Sequence, residues 1–124
     1  MNQLHSYLNA LVNEKIVSRP LASTAWRWWQ NAEGQFVGQL PVPSAAPGPD
    51  GQILYTWDKG ENHLEVEFCG AEPATLFHMN RITGAASERT LSDNLKAEEK
   101  DLFSLFLNSD PNNRPLSGLA AARG

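Results

Sequence analysis

The stretch Pro47-Gly48-Pro49-Asp50-Gly51-Gln52-Ile53-Leu54-Tyr55-Thr56-Trp57, followed by His63-Leu64-Glu65-Val66-Glu67-Phe68, constrains this chain more than any other part of it. Ile53, Tyr55 and Trp57 recur at every second position, and so do Leu64, Val66 and Phe68, with His63, Glu65 and Glu67 between them. Side chains of a strand alternate between faces, so this period of two writes two strands that each bury one face. Asp58-Lys59-Gly60-Glu61 supplies the turn. A four-residue loop sets Tyr55 opposite Leu64 and Ile53 opposite Val66. A third strand, from Ala74 to Asn80 after Gly70-Ala71-Glu72-Pro73, then sets Phe77 opposite Val66 and Met79 opposite Leu64. The apolar faces coincide in this register, whereas a one-residue slip would turn every side chain over. The expectation is an antiparallel β-meander of about three strands, with Tyr55, Trp57, Leu64, Val66 and Phe77 on its buried face.

Helices flank the sheet. From Asn2 to Ile16, Leu4, Leu8, Leu11 and Val12 form one stripe at helical spacing, with Asn2 placed as an N-cap. Ser18-Arg19-Pro20 supplies a cap and a first-turn proline, and Leu21, Ala25, Trp28 and Trp29 continue a second stripe to Asn31. Glu33-Gly34 is read as its end, and residues 35–40 as a short extended segment. Pro41, Pro43, Pro47 and Pro49 exclude helix and favour an extended surface connector. Gly84-Ala85-Ala86-Ser87 reads as loop, and Thr90 with Asp93 as a capping box that opens a last helix on Leu95, Leu102, Phe103 and Phe106. The fold class expected is α+β, a small meander packed on one face by N-terminal and C-terminal helices. One domain spans residues 1–107, and residues 108–124, which lose periodicity, form a loosely ordered tail.

The length of 124 residues suits one hydrophobic core without staples. A net charge of −4 argues against a grip on phosphate backbones, so no direct nucleic-acid partner is expected. The single cysteine, Cys69, has no intramolecular bridge partner, and no charged-then-apolar leader opens the chain. No apolar run approaches the roughly 20 residues that span a bilayer, which gives a cytoplasmic protein and no membrane partner as the expectation.

Chemistry-bearing residues are sparse. The meander places His63, Glu65, Glu67 and Cys69 on the polar face, with His78 across from Glu65. Two imidazoles and two carboxylates on one strand pair suit a divalent metal or acid–base work. A solvated sheet face with a cross-strand pair is the better reading, because a flat face lacks the concavity that excludes water. No catalytic residue, metal or cofactor is therefore assigned, and His63, Glu65, Glu67 and His78 stand as the weaker alternative. Cys69 reads as a structural thiol, because Glu67 beside it disfavours a thiolate. Among the tryptophans, Trp28 lies at the centre of the helical stripe, Trp29 on its shoulder and Trp26 furthest toward the polar arc. Trp26, Arg27 and Trp29 are the candidate binding residues, since aromatic anchors are enriched where proteins meet; the rim of the core is the other reading of Trp26.

The residues Pro43…Pro49-Asp50-Gly51-Gln52-Ile53…Trp57…Leu64-Glu65-Val66-Glu67 resemble a pattern of small bacterial proteins with no assigned activity: a Pro-x-Pro-Asp-Gly-x-Ile turn, a tryptophan ending the next strand and a Leu-Glu-x-Glu strand. The resemblance covers about a quarter of the chain. It implies a bacterial or mobile-element origin and carries over no site residue; the tryptophan-rich second helix and the part after Asn80 depart from it. The functional expectation is an accessory or protein-interaction module without catalysis, whose partner is another protein chain or a second copy. Two alternatives stand beside it: a small metal-dependent or acid–base enzyme on the His63 face, and an acidic inhibitor of a nucleic-acid-binding partner, for which no clustered acidic run is present.

Overall fold

A computed structural model describes residues 3–70, 72–92 and 94–107 of the chain. Two helices, α1 (Gln3–Asn13) and α2 (Arg19–Gln35), precede five strands, β1 (Ser44–Pro47), β2 (Ile53–Lys59), β3 (Asn62–Phe68), β4 (Thr75–Asn80) and β5 (Ala86–Thr90), and α3 (Ala97–Ser104) follows. The strands form one antiparallel sheet in chain order. The fold is α+β with an antiparallel sheet, of five strands instead of about three. None of the described helices is long and apolar enough to cross a membrane. Asn2, Asp93 and the tail at 108–124, each part of an expectation above, lie outside the described residues.

Both added strands are held by backbone pairing where the side-chain pattern is silent. Strand β1 lies within the proline-rich connector and pairs Ala45 with Tyr55 and Pro47 with Ile53. Its one proline, Pro47, is tolerated because β1 is an edge strand, where a missing N–H donor costs no ladder bond. Gly48 N–H donates to Gln52 O at 2.8 Å and Gly51 takes a φ of 83°, so Gly48–Gln52 is the hairpin loop that enters β2. Strand β5 is mostly exposed and lacks alternation, and pairs with β4 from Thr75↔Thr90 to Met79↔Ala86. Thr90 therefore ends a strand, and the last helix starts only at Ala97.

The β2–β3 loop is tighter than expected. Lys59 pairs with Asn62 around a two-residue turn, Gly60-Glu61, in which Gly60 has a φ of 60°. A positive φ at the first central residue is the demand of a type II′ turn, and glycine meets it without a Cβ clash. The register moves by two, to Tyr55↔Val66 and Trp57↔Leu64, and because two is the period of a strand the faces survive. Strand β4 slips by one against expectation: Leu76 lies opposite Val66, Phe77 opposite Glu65 and His78 opposite Leu64. Phe77 and Met79 thus leave the core face and Leu76, at 1% exposure, takes it. This strand is apolar on both parities, so its own pattern sets no register. The turn around Asn80 does: its Oδ1 accepts from Ile82 N–H and Thr83 N–H, both at 3.0 Å, and Arg81 N–H donates to Glu61 O at 2.7 Å.

The helices pack on the face of Ile53, Tyr55, Trp57, Leu64 and Val66. Helix α2 starts where the sequence places it, with Ser18 Oγ accepting from Leu21 N–H at 3.2 Å, and it runs through Gly34 to Gln35. Residues 36–39 form turns, not an extended segment. Trp28 of α2 packs against Tyr55, Trp57, Phe68 and Phe103, and the Trp57 and Phe103 rings meet edge-on at 5.3 Å. Trp57 Nε1 donates to Pro41 O at 2.8 Å, tying the connector to the core.

The Tyr55 hydroxyl, like Trp28 Nε1 and Trp29 Nε1, is buried with no hydrogen-bond partner among the described residues. Burial raises the Tyr55 pKa well above its ordinary 10.0. Because the folded value exceeds the unfolded one, the contribution to stability is complete below pH 10.0 and is lost as pH rises past it. Tyr55→Phe is expected to stabilise the fold by about 1–2 kcal/mol at neutral pH and to blunt its alkaline destabilisation. Urea midpoints of both proteins at neutral and alkaline pH test this, and a destabilised Phe variant would show that the hydroxyl is bonded.

Candidate functional site

Among the described residues, polar groups gather beside apolar ones at several places, two of which involve the residues singled out from the sequence. The first is the outer face of the sheet, turned away from the helices. Strand alternation puts Asp58, His63, Glu65 and Glu67 there, as the sequence indicates for the last three. His78 does not join them: it stands on the helix-facing side opposite Leu64, with Nε2 3.0 Å from Asn62 Oδ1. The one-residue slip of β4 therefore divides the proposed His63/Glu65/Glu67/His78 set between two faces. Among the described residues, no group of three or more His, Cys, Asp and Glu side chains is placed to hold a metal ion. Cys69, just past β3, is exposed.

His63 instead pairs with Asp58, its direct cross-strand neighbour, Nδ1 to Oδ1 at 2.7 Å, and its Nε2 lies 3.4 Å from Glu65 Oε1. Arg81, from the β4–β5 turn, brings its guanidinium onto the same Asp58 oxygen. The hydrogen bond from His63 lowers the Asp58 carboxyl pKa below its ordinary value; desolvation opposes this, and Arg81 adds a further lowering. The group is a hydrogen-bonded His–Asp–Arg cluster on an open surface. It fixes side-chain orientations, but it encloses no space in which a reacting atom would be kept from water.

The second place is a cleft beside α2, between that helix, the β3–β4 loop and the chain leaving β5. Its volume is about 750 Å³ and its walls include Arg27, Trp28, Phe68, Pro73 and Leu91, with Glu72 on the rim. Trp28 is 8% exposed, so one edge of a core ring forms part of the cleft floor. Arg27 is exposed and has no ion-pair partner among the described residues.

Of the candidate binding residues, Arg27 lies on this cleft, whereas Trp26 is half-buried against α1, its indole 4.7 Å from the His5 ring. Trp29 belongs to neither surface. It is 0% exposed and packs toward Trp57, so it is a core residue and not a binding one. The shoulder of the helical stripe is buried here because α2 is covered from two sides, by strands β2 and β3 and by helix α1. The cleft was not legible in the sequence, since its walls come from three separate segments; an unpaired Arg27 beside a tryptophan was its only signal. No protein-family model matches the chain, and neither a curated protein nor a solved structure does.

Proposed function

We propose that this chain is an accessory protein-interaction module without catalysis of its own, and that it grips its partner at the cleft beside α2. The observation that carries this reading is the combination of an apolar floor, Trp28, Phe68 and Leu91, with the unpaired guanidinium of Arg27 at the edge. Such a cleft receives a partner's apolar side chain, and Arg27 pairs a carboxylate beside it with two parallel hydrogen bonds. Buried apolar contact surrounded by a polar rim is the anatomy of protein interfaces. The His63 cluster offers acid–base groups without a cavity, which supports binding over turnover.

The test compares tagged wild-type protein with Arg27→Glu in co-purification from the native host and in sedimentation. Arg27 is exposed, so the reversal is expected to leave the thermal midpoint unchanged. A partner retained by wild type, or a self-associated species, is expected to weaken by about tenfold or more in the variant, equivalent to about 1.4 kcal/mol. Equal association in both proteins would eliminate this surface.

A further inference from the structure

We infer that the outer face of the sheet, a surface separate from the α2 cleft, docks a basic segment of a partner protein by seating an arginine or lysine side chain over Phe77 between Glu65 and Glu88. The register supplies the arrangement. Phe77 on β4 lies directly opposite Glu65 on β3 and Glu88 on β5, so one aromatic ring stands between two carboxylates across three adjacent strands. Neighbouring strands are about 4.8 Å apart, which puts each carboxylate within reach of a cation centred above the ring. The negative face of an aromatic ring attracts a cation, and a guanidinium, planar and weakly hydrated, stacks on it while donating sideways.

Asp58 at one corner of this face is paired with His63 and Arg81, but the three glutamates lack such compensation. Glu65 meets only His63 Nε2, at 3.4 Å, and neither Glu67 nor Glu88 has a cationic partner among the described residues. The nearby cations are engaged elsewhere: Arg81 with Asp58, and Arg89 with Glu98 and Glu99, each at 3.7 Å, on the helix side. Neither the strand alternation nor the chain order announces this grouping, because Glu88 is more than twenty positions from Glu65 and joins it only through β5.

Sign and shape choose the occupant. A second copy of this chain would set Glu65, Glu67 and Glu88 against their own equivalents, and a nucleic acid would bring phosphates to carboxylates; both are repelled. A free small cation would leave Leu54, Phe77 and Met79, half-buried on the same face, uncovered. A basic polypeptide segment with apolar residues beside its cations matches both features.

The experiment measures binding of a fluorescently labelled peptide alternating arginine with valine, by anisotropy at two salt concentrations. A citrulline version of the peptide and spermine serve as competitors. Wild type is expected to bind the arginine peptide at least about tenfold tighter than the citrulline peptide. The double variant Glu65→Gln/Glu88→Gln is expected to lose about tenfold and to show a flatter salt dependence, and Phe77→Leu to lose several-fold. Asp101→Asn, an exposed acid on α3, is expected to bind as wild type does. The proposal is overturned by undetectable peptide binding, by equal binding of the citrulline peptide, or by losses no larger in the Glu65/Glu88 variant than in Asp101→Asn. Competition by spermine as strong as by the arginine peptide would also overturn it, by assigning the face to small polycations. Thermal midpoints and far-ultraviolet circular dichroism of each variant verify that the sheet is intact.

Discussion

Replacing Trp29 by alanine is expected to destabilise the protein by about 3–5 kcal/mol, a large share of the total stability of a small domain. Trp29 is 0% exposed on the sheet-facing side of α2, with its ring centroid 6.4 Å from that of Trp57. Truncation removes the indole's burial and leaves a cavity between helix and sheet that rigid neighbours fill poorly. Trp29→Phe is expected to cost much less, because it keeps most of the apolar area and removes an indole N–H that is buried without a partner among the described residues. Trp26→Ala, on the half-buried seam with His5, is expected to cost about 1 kcal/mol. Urea denaturation of the three variants checks the order. A Trp29→Ala protein within about 1 kcal/mol of wild type would contradict the placement of this ring in the core.

The second large effect is expected at Glu99, the buried acidic residue of α3, at 1% exposure. Its Oε1 accepts from the Lys96 backbone N–H at 2.9 Å, closing the first turn of an eight-residue helix, and its Oε2 lies 3.7 Å from Arg89 Nε on β5. Glu99→Ala removes a cap bond worth about 1 kcal/mol, leaves a small void, and frees Arg89 from its buried counter-charge. Because the Arg89 side chain is 38% exposed, water takes over part of that interaction, so the total loss is expected near 2 kcal/mol and not at the upper end for buried pairs. Glu99→Gln keeps an acceptor for Lys96 and is expected to recover about half of the loss. Thermal and urea midpoints report both. Equal losses in the two variants would move the effect from the cap to the Arg89 contact, and no loss in either would remove Glu99 from the structural core of α3.

What the tertiary structure added is clearest where a strand's own pattern is weakest. Thr75-Leu76-Phe77-His78-Met79-Asn80 carries apolar residues on both parities, so burial preference alone leaves two registers open. The Asn80 turn and the pairing to β5 select one, and with it decide that Leu76 is inside, that Phe77 faces the carboxylates, and that His78 parts from His63. Strands β1 and β5 were hidden for a related reason: both are sheet edges whose residues are largely exposed, so backbone hydrogen bonds define them and no periodic apolar signal does.

By itself the sequence determined the inward face of β2 and β3, the start of α2 at Ser18, the stripes of α1 and α2, and the burial of Trp28, Tyr55 and Trp57, because each rests on local periodicity or on a cap within one turn. Only the tertiary structure decided the number of strands, the face of β4, the burial of Trp29, the cleft at Arg27 and the grouping of Glu65, Phe77 and Glu88. These depend on contacts between segments far apart in the chain. A period of two or of 3.6 tells a residue which side of its own element it occupies. It does not say which other element meets that side.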